Sequence, residues 1–234
     1  MLPTFWNAKR GGLTLLLVVL ALLTVSPTSA RAQVDFEIYA GPAISDITGS
    51  YIDSSIRTWG IVMGAVVNWR FHRRWAVEGG ISSSQMGAFE VKLADQDSLF
   101  DFRSSYLEIP VALQFLTPLF KERWLLALSA GGAFAKRTAC EVKEAGYPQF
   151  QLDCGETAAA GQEAPGGEVG KTDLLVQFGI GMDRVFKGGS GFGFDIRYSL
   201  GTQDLFQAAS DEGLSSRNAV LDIKFHFFLP LSGP

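Results

Sequence analysis

The sequence predicts an all-β fold, an eight-stranded antiparallel up-and-down transmembrane β-barrel with short periplasmic turns and long extracellular loops. Three observations carry this prediction. Apolar residues recur at every second position in eight runs, small and polar residues fill the alternate positions, and short connections alternate with long ones. The 234 residues suit one domain, and a hydrophobic content of 47% excludes a disordered chain.

The first 32 residues have the pattern of a secretory signal peptide. Lys9 and Arg10 precede an apolar run over 13–25, and Ala30-Arg31-Ala32 supplies the small-residue cleavage site. Because a helix needs about 20 apolar residues to span a bilayer, an uncleaved anchor is the weaker alternative. We therefore expect export, with 1–32 as signal peptide and 33–234 as one barrel domain. The remaining chain carries 17 basic and 24 acidic side chains, so we expect no nucleic-acid partner.

Eight predicted strands follow from the alternating pattern. Their apolar positions, two residues apart, cover 34–40, 59–69, 75–81, 107–115, 124–134, 174–182, 192–200 and 219–227. Most of these runs match the roughly 9–11 residues that a tilted strand needs to cross a bilayer. A soluble lipocalin-like barrel is the alternative, because it shows the same alternation with the apolar face inside.

The opposite face of these strands carries small and charged residues, as expected for the narrow lumen of an eight-stranded barrel. Charges of both signs are predicted to face each other there as a lumen polar network: Arg70, Glu78, Glu108, Asp183, Asp195, Arg197, Asp222 and Lys224. Such a network forms either an ion or proton path or a paired polar core. We favour the paired core, since buried charges need partners and eight strands leave little free bore.

The connections define the two ends of the barrel. Short connections are predicted at 71–74, 117–123 and 187–190, and long ones at 46–57, 88–102, 138–171 and 202–216. Aromatic residues crowd the short-turn end, which predicts a periplasmic girdle at the headgroup level. The girdle residues are Trp69, Phe71, Trp75, Phe115, Phe120, Trp124, Phe186, Phe192, Phe227 and Phe228. Pro110 lies within the fourth strand and predicts a bulge or a missing hydrogen bond there.

Several strands resemble a known family. The run from Tyr106 to Phe115 (YLEIPVALQF), the segments 178–183 and 194–201, and the closing strand 218–228 are similar to PorT-like outer-membrane β-barrels. The resemblance covers almost all of the chain after residue 33. It implies a Gram-negative outer-membrane barrel that accommodates Pro110, and it implies little chemistry. The founding member of that family is tied to protein secretion, a role that we do not transfer to this chain.

Cys140 and Cys154 lie in the third long connection, and export favours a disulfide between them over free thiols or a metal site. We expect no catalytic residue, because His72 and His226, the two histidines, both fall near the periplasmic end. No cofactor is expected either, since the phosphate-loop-like run 165–172 has Pro165 at its first glycine position.

The sequence thus predicts a non-enzymatic, monomeric outer-membrane barrel in contact with membrane lipid. We expect any protein partner to meet it at the extracellular loops or the periplasmic turns. A small passive channel and a soluble periplasmic binder of apolar ligands are the alternatives.

Overall fold

The computed structural model describes residues 33–94, 99–119, 123–144, 151–154, 169–206 and 213–231. The predicted signal peptide, Phe120 and most of the 138–171 connection lie outside these described residues. Within the described ranges the strands are β1 (Gln33–Thr48), β2 (Ile52–His72), β3 (Trp75–Leu93), β4 (Leu99–Leu119), β5 (Trp124–Glu144), β6 (Gln151–Asp153), β7 (Thr172–Val185), β8 (Gly191–Gly201) and β9 (Arg217–Pro230). No helix in these ranges is long and apolar enough to cross a membrane.

Eight of the strands close into a ring. Each of β1 to β5 pairs antiparallel with the next, β5 pairs with β7, and β7, β8 and β9 continue the meander. Strand β1 then pairs with β9 over Asp35–Pro230 to Thr48–Arg217, which closes the barrel. Strand β6 pairs only with the end of β5 and lies outside the ring. The predicted eight-stranded up-and-down barrel is therefore confirmed.

The apolar face of the barrel points outward. Val111 is 55% exposed and Phe225 61% exposed, and the other outward positions of their strands follow the same alternation. A soluble protein would expose a continuous apolar band to water, whereas a lipid bilayer covers it. The lipocalin-like alternative is therefore wrong.

The strands run further on the extracellular side than the sequence pattern predicts. The expected long connection at 46–57 is a turn of three residues, 49–51, and the β3 and β4 strands extend through most of 88–102. The cause is an apolar core that lies above the bilayer. Alternate residues of these extensions, including Ile47, Val91 and Phe100, bury themselves there, and this burial stabilises continued strand pairing.

We call this apolar core the outer core. Phe206 lies at its centre, fully buried, with ring centroids 5.9 Å from Phe100 and 5.7 Å from Phe102, both edge-on. Its buried members are Ile47, Tyr51, Ala88, Val91, Leu93, Phe100, Phe102, Val142, Val169, Leu205 and Phe206. The outer core closes the extracellular end of the barrel with apolar side chains.

Of the two outcomes predicted for Pro110, the structure shows missing strand pairs and no bulge. The pairing of Pro110 with Ala133 of β5 stays in register, and on the β3 side the pairs Gly79–Val111 and Ser82–Glu108 keep the same phase. The two intervening pairs with β3 are missing, which confines the interruption to one side of the strand. Proline lacks the N–H group that this ladder would use, and the residues around it hold the register.

The periplasmic girdle is present, with one correction. Trp69 contacts Phe71, Trp75 contacts Phe115, and Phe186 contacts Phe192, with ring centroids 5.7, 5.1 and 5.8 Å apart. Phe227 is exposed on the outer face. Phe228 is instead buried and faces inward, since neighbouring strand residues point to opposite faces.

Candidate functional site: the polar lumen

The lumen is lined by alternate residues of all eight ring strands. Its centre is a charged pair between Arg197 of β8 and Glu78 of β3. The Arg197 guanidinium donates two hydrogen bonds to the Glu78 carboxylate, Nη1 to Oε1 at 2.7 Å and Nη2 to Oε2 at 3.1 Å. Strands β3 and β8 stand four strands apart in either direction around the ring, so this pair crosses the full width of the lumen.

Two further groups complete the central pair. Arg197 Nε donates to Asp195 Oδ1 at 3.2 Å, and the Gln114 amide donates to Glu78 Oε2 at 2.6 Å. Glu78 and Arg197 are both buried. Burial of charge is tolerated when the charges are paired and hydrogen-bonded, as they are here.

A second group lies around Lys224. Its Nζ is 3.8 Å from Asp222 Oδ2 and 4.8 Å from the centre of the Tyr39 ring, so it has an anionic and an aromatic neighbour. Glu108 accepts a hydrogen bond from the Ser84 hydroxyl instead of a direct bond from a cation. This group spans the lumen, because Lys224 lies on β9 and Glu108 on β4, four strands away in the ring.

A third group lies toward the periplasmic end. His226 Nε2 is 2.7 Å from Asp183 Oδ1, and its Nδ1 is 3.8 Å from Glu37 Oε1. Glu37 also accepts a hydrogen bond from the Asn68 amide at 2.8 Å. The imidazole is therefore held between two carboxylates, Glu37 on the adjacent strand β1 and Asp183 on β7, two strands away in the ring.

Arg70, the last of the predicted lumen cations, pairs near this group. Its Nη2 is 3.6 Å from Asp35 Oδ2, and its Nη1 donates to the Gln33 side chain at 3.2 Å.

The structure thus places all eight predicted network residues on the lumen side and divides them among these three groups. The prediction omitted Asp35, Glu37, Tyr39, Gln114 as a partner of Glu78, and His226 as a member of the network. The sequence pattern could have identified three of them, because Asp35, Glu37 and Tyr39 alternate with the outward Phe36 and Ile38 of β1.

A small cavity lies between these side chains. Its volume is about 40 Å³, and its lining includes Glu37, Glu78, Asp183, Arg197 and His226. A cavity needs about 10–15 Å³ on this measure to hold one water, so this space holds a few waters. Above it, toward the extracellular side, the outer core adds an apolar seal.

Cys140 and Cys154 form a disulfide, with Cα atoms 5.4 Å apart. Both residues pack against the outer core, and the Cys154 N–H donates a backbone hydrogen bond to the Cys140 carbonyl. The disulfide therefore fastens the β5–β6 hairpin to the core that closes the extracellular end.

The chemistry available in the lumen is pairing of charges. His226 has a carboxylate at each nitrogen, so neither nitrogen is positioned as a base beside a nucleophilic hydroxyl. Among the described residues, no three His, Cys, Asp or Glu side chains are grouped to hold a metal ion.

A closed ring of eight strands with an apolar exterior, an aromatic girdle and a charged interior defines a bacterial outer-membrane β-barrel. Residues 26–207 match the family model described as outer membrane protein beta-barrel domain, and the chain belongs to this family. The protein is located in the outer membrane and contacts its lipid. Among curated proteins, none matches the sequence.

Solved structures of small outer-membrane barrels are similar to this chain. Ail of Yersinia pestis, in complex with the heparin analogue sucrose octasulfate, is 14% identical, and the match covers 84% of this chain and 99% of Ail with a TM-score of 0.45. OprG of Pseudomonas aeruginosa is 13% identical, covering 86% of this chain and 98% of OprG, with a TM-score of 0.46. Neisserial surface protein A is 10% identical, covering 82% and 95%, with a TM-score of 0.43.

Proposed function

We propose that the protein is a sealed, monomeric outer-membrane barrel with a structural or interaction role, which presents its extracellular surface to partners. It is not an enzyme, it needs no cofactor or metal, and its lumen does not conduct solutes. Within the outer-membrane family we assign it to the PorT-like group, on the strand from Tyr106 to Phe115. Residues 1–32 are the signal peptide that directs its export.

The observation that carries this proposal is the Arg197–Glu78 pair, which spans the lumen from β8 to β3. A conducting pore needs a continuous water path. A crossing pair with 2.7 Å and 3.1 Å hydrogen bonds obstructs that path at mid-lumen. The outer core obstructs it again at the extracellular end, where apolar side chains exclude water and ions. Two seals of different chemistry therefore block passive conduction.

The absence of catalysis is supported by the position of His226. Its two ring nitrogens face Asp183 and Glu37 inside the lumen, away from lipid on the outer face and from solutes outside the cell. The extracellular surface offers the strand extensions and the disulfide-tied hairpin as contact regions. These regions are the places where a protein partner would bind.

Planar-bilayer recording tests the proposal against a passive channel. The purified mature protein, inserted in a planar bilayer in concentrated salt, should show no discrete conductance steps at moderate voltages. A general porin added to the same bilayer serves as the positive control for insertion and detection. Discrete single-channel openings of the wild-type protein would refute the sealed lumen.

A further inference from the structure

A second cavity lies in the barrel wall near the extracellular edge of the apolar belt. Its volume is about 240 Å³, and it crosses β2, β3, β4 and β5. The lining residues that matter here are Thr58, Trp59, Gln85, Arg103, Ser105 and Glu141. We call this cavity the wall cleft. It lies apart from the lumen network, and none of the three charged groups described above uses these residues.

The wall cleft forms where strand pairing is interrupted. On β2 and β3 the register shifts between the pairs Arg57–Ala88 and Val62–Ser84, which leaves the residues around Trp59 without ladder partners on β3. On β4 and β5 the register shifts by one residue between Ser105 and Tyr106. Bulges of this kind bend strands and redirect side chains, so a gap opens in the barrel wall at this level.

The level of the wall cleft coincides with the lipid headgroups. Trp59 is the last apolar side chain in the outward row of β2, and Arg57 follows it in the same row. Leu107 ends the outward apolar row of β4, and Ser105 and Arg103 follow. Trp59 is 69% exposed, and tryptophan favours the boundary between bilayer and water.

The wall cleft offers both a cation and neutral hydrogen-bonding groups. Arg103 is exposed, and its guanidinium carbon lies 4.8 Å from the centre of the Phe89 ring, which limits its movement. Arginine is the side chain best suited to bind a phosphate by two parallel hydrogen bonds. Glu141, whose charge is offset by Lys143 at 3.2 Å, supplies a hydrogen-bond acceptor.

Thr58 adds an independent sign of a ligand. Its side chain lines the wall cleft and is only 4% exposed, yet its hydroxyl has no hydrogen-bond partner among the described residues. A buried hydroxyl without a partner is destabilising, and a bound polar molecule would remove that cost.

We propose that the wall cleft binds the phosphorylated sugar headgroup of a glycolipid in the outer leaflet. Arg103 binds the phosphate, the Trp59 ring packs against the sugar, and Thr58 and Glu141 bind sugar hydroxyls. The volume of about 240 Å³ is six times that of the lumen cavity, which leaves room for one sugar ring. The acyl chains then lie along the outward apolar row of β2 and β4, where Ile61 and Leu107 are exposed. A free sugar phosphate lacks these chains, so the lipid is the favoured source.

Lipid A, a phosphorylated glucosamine disaccharide lipid, is the probe for a binding experiment. The folded barrel in non-ionic detergent is titrated with lipid A by calorimetry, and folding of each variant is checked by its mobility in cold SDS. The wild-type protein should bind. Arg103→Gln should weaken binding by about tenfold or more, since a hydrogen bond to a charged group contributes roughly that factor. Trp59→Ala should also weaken binding, because it removes the ring that packs against the sugar. Arg217→Gln is the matched control, because Arg217 is an exposed arginine at the start of β9, on the far side of the ring from β4.

Three results would overturn the proposal. The first is unchanged affinity in both cleft variants, and the second is an equal loss in Arg217→Gln, which would indicate unspecific attraction of charge. The third is equal affinity for phosphatidylglycerol or for free glucosamine phosphate, because the sugar or the lipid would then be irrelevant. None of these results bears on conduction, so lipid binding at the wall cleft and the sealed lumen are tested independently.

Discussion

Arg197 is a buried cation between two carboxylates. Its side chain is 5% exposed and faces both Glu78 and Asp195. In Arg197→Met the two carboxylates stay buried without their cation, which should lower the free energy of unfolding by about 3–5 kcal/mol. Urea unfolding of the barrel in detergent, followed by tryptophan fluorescence, measures this loss.

The double variant Glu78→Met with Arg197→Met is the control for Arg197→Met. Replacing a whole buried ion pair by apolar groups of similar size is often nearly neutral, so the double variant should recover much of the stability. If the free energy of unfolding of Arg197→Met were within 1 kcal/mol of the wild-type value, the pair would be solvated and water would fill the lumen.

Gly64 makes room for Tyr39, its direct partner on β1. A Cβ atom at position 64 would come within 2.7 Å of the Tyr39 ring, so Gly64→Val must displace the ring on which Lys224 lies. We expect a loss of about 1–3 kcal/mol, the usual cost of overpacking. The same urea titration measures it. Gly188→Ala, where a Cβ meets nothing within 4 Å, should be close to neutral, and equal losses in the two variants would contradict the packing argument.

The residue-level content of the lumen was partly predictable from the sequence. Period two identifies which side chains face inward, and it placed Glu78, Asp195 and Arg197 together on the inner face. It does not identify partners, because these depend on which strands stand opposite each other across the ring. The choice of Arg197 as the partner of Glu78, and of His226 as the partner of Asp183, follows from the three-dimensional ring alone.

The β5–β6 hairpin depends on the Cys140–Cys154 disulfide. Closing a loop of about 15 residues contributes roughly 3 kcal/mol in the chain-entropy model, and here the disulfide also packs on the outer core. Cys140→Ser with Cys154→Ser should therefore reduce the free energy of unfolding by up to about 3 kcal/mol. Chemical denaturation with and without reductant measures this change.

Wild-type protein treated with reductant should match the double serine variant, and reductant should leave that variant unchanged. If reduction leaves the wild type as stable as before, the disulfide has no role in holding the outer core.

The extent of the strands was predicted accurately within the membrane and less accurately on the extracellular side. Within the bilayer, outward apolar residues alternate strictly with inward residues, because one face of each strand contacts lipid and the other faces the lumen. Strand β8 shows this from Phe192 to Leu200. Above the bilayer both faces tolerate polar residues, so the signal weakens. The extension of β3 past Ala88 also passes a positive φ at Glu90 and a register shift, which interrupt the alternation. Local pattern could not reveal that these residues bury an outer core assembled from distant segments.

At the scale of the whole molecule, the barrel meets two physical requirements. Its exterior is apolar and matches lipid, while its interior fills the bore with paired charges and an apolar extracellular seal. The sequence predicts the first from alternation alone. The sequence also favoured paired charges in the lumen, whereas the apolar extracellular seal required the structure, because Phe206 joins the outer core from a connection that carries no periodic signal.

The most direct test of a closed membrane-spanning barrel is electrophoretic mobility of the membrane-extracted mature protein in SDS, unboiled against boiled. A barrel whose strands are all paired around the ring should resist cold SDS and change its apparent mass only after heating. The same preparation should stay in the membrane fraction through an alkaline wash. Identical mobility before and after boiling, together with release by the wash, would contradict the closed transmembrane barrel on which every other conclusion rests.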